Sequence, residues 1–163
     1  MRLILFVIIL FQCSAGATNL DKEFRYYYSI DGEIIELNDA KGTMYYAGEL
    51  DRYNQCKDSE KNNCAFMLGF KLVVPTTTEL PENWQFAGVN YCVAEKLNFP
   101  KGRYYLITFS VGMPCSKQQM VLPKSHFIYL EDRGIIYAKS YEAHPEGAEL
   151  ILLSTKGIGF VNK

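Results

Sequence analysis

From Phe24 to Leu37 the chain alternates apolar and polar residues on either side of an Asp31-Gly32 pair. This is the pattern of two antiparallel strands joined by a tight turn, because successive side chains of a strand point to opposite faces. A two-residue type I′ turn at Asp31-Gly32 predicts a register in which Tyr28 opposes Ile35 and Tyr26 opposes Leu37. One face would then carry Phe24, Tyr26, Tyr28, Ile35 and Leu37 as core. The other would carry Arg25, Tyr27, Ser29, Ile34 and Glu36, half in water.

The same period recurs along the chain. Residues 43–50, 64–74, 86–94, 103–111, 126–131, 135–141, 148–154 and 158–161 all read as strands. In 64–74 six apolar residues, Cys64, Phe66, Leu68, Phe70, Leu72 and Val74, fall on one face. The stretch from Pro75 to Pro81 has no period and reads as a loop. Two further turns, Asp132-Arg133-Gly134 and Thr155-Lys156-Gly157, end in the glycine that a bulged hairpin needs. A helical turn capped by Ser116 fits within 116–121. No long helical pattern and no internal repeat occurs. With 48% hydrophobic and 14% aromatic residues the chain can bury a core. The expected fold is one all-β domain, an antiparallel β-sandwich or barrel built from hairpins.

The first residues read differently. Met1-Arg2 precedes nine apolar residues, Leu3 to Phe11, and then Ala15-Gly16-Ala17. A short basic start, an apolar run and a small-x-small triplet make a signal peptide over residues 1–17, cut after Ala17. The run is far below the ~20 residues that cross a bilayer, so no transmembrane segment is expected. Cys13 follows Leu10-Phe11-Gln12, a poor context for lipoprotein cleavage, and no lipid anchor is expected there. The remaining chain, 18–163, is read as a single β-rich domain of a secreted or periplasmic protein.

That compartment allows disulfides. Cys56, Cys64, Cys92 and Cys115 remain after cleavage, and four cysteines allow three pairings. The spacing favours Cys56–Cys64, across a polar loop, and Cys92–Cys115, tying one strand to the loop after the next. In the loop-entropy account these contribute at most about 2.6 and 3.4 kcal/mol. Paired short cysteine spacings and nearby histidines, the marks of zinc, are missing, so no metal is expected.

Chemistry is sparse. The two histidines, His126 and His144, stand in no nucleophile motif. Gly157-Ile158-Gly159 has no helix after it and cannot cradle a dinucleotide. Glu131-Asp132 and Glu33 with Glu36 read as solvated surface, although two carboxylates that meet only in space would suit a glycan hydrolase. A net charge of −1 argues against a nucleic-acid partner. The Gly-x-Trp that marks the first strand of lipocalins is absent. No cofactor is implied.

The one surplus is tyrosine, twelve in all, with adjacent runs at 26–28, 45–46 and 104–105. Neighbours on a strand point opposite ways, so a one-sided core takes only one of each pair. The outward candidates are Tyr27, Tyr46 and Tyr104, with Trp84 in the Pro81–Trp84 loop as a further anchor. The sequence therefore suggests a non-enzymatic binding protein, an inhibitor or immunity-type module, whose partner is another protein. An envelope structural component and, less well supported, a carboxylate-based hydrolase are the alternatives.

Overall fold

The first hairpin turns through three residues, not two. Ser29 N–H donates to Glu33 O at 2.9 Å and Gly32 N–H donates to Ser29 O at 3.1 Å, which leaves 30–32 as the connection. Gly32 takes φ +87°, the left-handed residue of a three-residue loop. The pairing is consequently Tyr27 with Ile35 and Tyr28 with Ile34. A slip of one residue turns a whole strand over. Tyr27 is fully buried opposite Ile35, in the core with Leu37, and is not the outward residue that a two-residue turn implied.

A computed structural model of the chain describes residues 24–29, 32–38, 41–55, 61–115, 125–142 and 146–159. The strands are β1 (Phe24–Ser29), β2 (Ile34–Asn38), β3 (Thr43–Tyr46), β4 (Glu49–Arg52), β5 (Asn54–Gln55), β6 (Asn62–Met67), β7 (Phe70–Pro75), β8 (Asn83–Phe86), β9 (Val89–Phe99), β10 (Gly102–Val111), β11 (His126–Leu130), β12 (Gly134–Ser140) and β13 (Ala148–Leu152). The signal peptide, the proposed helical turn at 116–121, Cys56 and His144 lie outside the described residues. So do the side chains of Phe24, Tyr26 and Tyr28, which the sequence assigns to the core.

Three of the expected long strands are hairpins. Ala47-Gly48, Leu68-Gly69 and Ala87-Gly88 are two-residue turns, and all six residues have positive φ, 50° and 83°, 47° and 77°, 47° and 78°. Both turn positions of type I′ are left-handed. Alanine and leucine tolerate that conformation at a cost of roughly 1–2 kcal/mol each. Their presence hides the turn from a reading that expects Asn or Asp before the glycine.

All pairing is antiparallel. A ten-stranded sheet runs β4-β3-β2-β1-β13-β12-β11-β10-β9-β8, and a three-stranded sheet runs β5-β6-β7. The chain leaves the large sheet after β4, builds the small one, and re-enters at β8. Among the described strands, the only pairing between sequence-distant partners is β1 with β13. Among the described residues neither sheet closes into a barrel, and β4 and β8 end the large one. Both sheets share one core that holds Tyr27, Leu37, Phe70, Leu72, Tyr91, Phe109 and Phe127. The small sheet is held by side chains of the large one: Tyr91 Oη donates to Lys71 O and Ser140 Oγ donates to Gly69 O, each at 3.0 Å. Cys92 and Cys115 form a disulfide with Cα atoms 5.7 Å apart, tying β9 to the segment after β10.

The last segment is not the expected hairpin. After β13 the chain crosses to β12, where Ile135 and Ile158 form a single antiparallel bridge. Tyr27 Oη donates to Ile135 O at 3.0 Å and accepts from Ile158 N–H at 2.8 Å. Gly157 is a close-approach glycine, because a Cβ there would lie 2.1 Å from Ile135 O. Gly134, with φ +81°, is both turn and contact, since its Cβ would meet Gly157 O at 2.6 Å.

Replacing Tyr27 by Phe keeps the ring and strands the buried Ile158 N–H. The expected loss is about 1–3 kcal/mol of unfolding free energy, read from urea melts. Gly157→Ala is expected to cost at least as much by driving the chain off β12. A Tyr27→Phe melt that overlays wild type would contradict this account of the junction.

Candidate functional site

The four aromatic residues singled out from the sequence do not share a surface. Tyr27 lies in the core. Tyr46 is half-buried and packs inward on that core, while its neighbour Tyr45 is 48% exposed. Trp84 belongs to β8 and lies flat on Tyr91, with ring centroids 5.3 Å apart and planes at 5°. Its Nε1 is buried without a hydrogen-bond partner among the described residues. Tyr104 alone faces away from the core. It stands opposite Leu97 and Leu130, with its ring edge-on to Phe99 at 6.4 Å and 80°.

Tyr104 is part of a larger feature. Reading directly across the large sheet, register partners run from Ile34 on β2 through the Tyr28 position on β1 to Ile151, Tyr137, Ile128 and Leu106 on β13, β12, β11 and β10. Cross-strand partners share a face. Here the core takes Ile35, Leu150, Ala138, Phe127 and Ile107, so the row lies on the opposite, outer face. Ile34 is 54% and Ile151 45% exposed, while Tyr137, Ile128 and Leu106 are half-buried. Tyr104, Leu97 and Phe99 extend the row along β10 and β9. An antiparallel sheet with one wet face normally alternates apolar-in and polar-out. This sheet is apolar on both faces through its centre. The signal was present in the sequence where alternation fails, at Leu150-Ile151-Leu152 and at Tyr104-Tyr105-Leu106-Ile107.

Charge on this face is sparse. Lys139 Nζ sits 2.5 Å from Glu149 and lies over the Tyr141 ring. Glu149, first through its hydrogen bond, pushes the Lys139 ammonium pKa up. His126 is half-buried beside Tyr137, with ring centroids 5.8 Å apart.

A second constellation lies on the core side, where the 76–82 loop crosses β9 and β10. Glu79 pairs with Lys96 at 2.6 Å and Arg103 at 3.2 Å; Arg103 also pairs with Glu131 at 2.7 Å and donates to Thr78 O at 3.0 Å. Leu80 is buried beneath the loop, and grooves of about 340 and 930 Å³ open on its two sides. The Lys96 hydrogen bond, then the Lys96 and Arg103 charges, hold the Glu79 carboxyl below its usual range. A carboxylic general acid needs the opposite shift. What this arrangement does is strap the loop down. Among the described residues no cluster of three or more His, Cys, Asp or Glu side chains is placed to hold a metal ion.

No protein-family model, curated protein or solved structure matches this chain. No helix among the described residues is long and apolar enough to cross a membrane.

The strap covers Tyr129, whose phenol is pushed from 10.0 up to about 12, first by burial and then by the Glu131 and Tyr105 neighbours. Folding therefore favours the protonated phenol. Its contribution to stability is complete below pH 10 and is lost as pH rises from 10 to about 12. Urea midpoints measured across that window are expected to fall, and to fall less steeply in Tyr129→Phe.

Proposed function

We propose that this chain is a non-enzymatic binding protein of a secreted or periplasmic compartment, and that it takes a protein partner on the outer face of the ten-stranded sheet. The observation that carries the reading is the apolar row from Ile34 to Leu106, continued by Tyr104, Leu97 and Phe99. Contiguous exposed apolar surface rimmed by polar groups is what interaction sites look like. Aromatic side chains are enriched at such surfaces. The signal-like leader and the Cys92–Cys115 bridge support the compartment.

Tyr104 is the one sequence candidate that this reading retains. Tyr45 and Tyr137 take the places that Tyr27 and Tyr46 were expected to hold. An inhibitor or immunity-type module needs such a face and no catalytic group.

The test is capture from envelope and secreted extracts on the immobilised oxidised chain, followed by mass spectrometry. One protein is expected in stoichiometric amount on wild type. On the Ile34→Ser/Ile151→Ser double variant, retention is expected to fall by roughly 30-fold or more, the scale of losing a hot spot of about 2 kcal/mol. Both positions are exposed, so the variant is expected to melt like wild type. Equal retention by the two would place the binding surface elsewhere or remove it.

A further inference from the structure

We infer that the partner on this outer face is a cationic, apolar protein surface and not a second copy of this chain. The inference rests on the docking role of the face and adds the chemistry of the occupant. The row crosses from β2 to β10, and its next register partner, on β9, is Glu95, exposed and opposite Leu106. At the other end Glu36 lies two residues from Ile34 on the same face of β2, opposite Tyr45. Neither carboxylate has an ion-pair partner among the described residues. The cation that flanks the row, Lys139, is already taken by Glu149. Arg52 stands further out, on the edge strand β4 opposite Thr43. The apolar row thus has an unpaired carboxylate beside each end, Glu36 and Glu95. Seven strands at ~4.8 Å spacing put the two ends about 29 Å apart.

This arrangement discriminates between occupants. Two copies stacked face to face with their rows overlaid must be related by a two-fold axis in the plane between them. An axis along the row puts Glu95 on Glu95 and sets the two Glu36 residues about 14 Å apart. An axis across the row brings Glu36 to about 7 Å from the Glu95 position of the other copy. Both bring carboxylate toward carboxylate while removing water from each, which is unfavourable without a counter-charge. An anionic bilayer meets the same repulsion. A protein surface with an apolar centre and Lys or Arg at its ends pairs both carboxylates and covers the row.

The probes are two synthetic twelve-residue peptides of alternating sequence, Leu-Lys and Leu-Glu, with binding to the oxidised full chain read by fluorescence anisotropy. The Leu-Lys peptide is expected to bind at least tenfold more tightly than Leu-Glu. Glu36→Gln/Glu95→Gln is expected to remove most of that difference and flatten its salt dependence. Ile34→Ser/Ile151→Ser is expected to abolish binding of both. If the two peptides bind alike and both are lost in Ile34→Ser/Ile151→Ser, the face docks proteins but the cationic assignment falls. If neither peptide responds to Ile34→Ser/Ile151→Ser, the docking reading falls with it. A dimer in sedimentation that Ile151→Ser dissociates would put a second copy on the face. Binding to phosphatidylcholine vesicles that Ile151→Ser removes would put a membrane there. Either of these overturns the inference.

Discussion

The pairing of β1 with β13 holds the large sheet together, and the Tyr27 hydroxyl seals it. Every other pairing in that sheet is between neighbours in sequence. Joining β1 to β13 brings two separate meanders into one ten-stranded surface. The tyrosine reaches through the core from β1 and satisfies a carbonyl of β12 and an N–H of the terminal segment at once. Gly134 and Gly157 remove the side chains that would keep those two backbones apart. Without this junction the outer row would be two disconnected halves, with Ile34 on one and Ile151 on the other.

The small sheet packs on one face of the large sheet. β7 is buried on nearly every residue, and Tyr91 and Ser140 supply hydrogen bonds to carbonyls on and beside it. Its three strands share the core with that side of the large sheet and have no counterpart on the other side among the described residues. The Arg103 strap adds the 76–82 loop to that same side. Apolar residues on the outer face are therefore covered by no second sheet among the described residues, which is the physical reason for proposing a partner there.

Much of this was legible in the sequence. Alternation pointed to the all-β class and the antiparallel hairpins, and spacing pointed to Cys92–Cys115. The registers were less legible, because they hang on loop length. Asp31-Gly32 suits a two-residue turn, yet the loop takes residue 30 as well, and that one residue sent Tyr27 inward. The rule that adjacent tyrosines split between faces held at 45–46 and 104–105; which member goes in was decided by strand register, which sets Tyr45 opposite Glu36 and turns Tyr46 to the core. Ala47-Gly48, Leu68-Gly69 and Ala87-Gly88 were hidden because the first residue of each turn is strained, and strain is invisible to propensity. The outer row spans six strands, one position from each, so no local window contains it.

The junction also sets an order of events. The hydroxyl of Tyr27 finds its last partner 131 residues further along the chain. A polypeptide made amino-terminus first holds β1 with one edge bare until Leu150 to Leu152 emerge. Contacts of such long separation are slow to form, because the intervening chain must be ordered before they are rewarded. Of the described strands, the first to appear is thus among the last to gain its second neighbour.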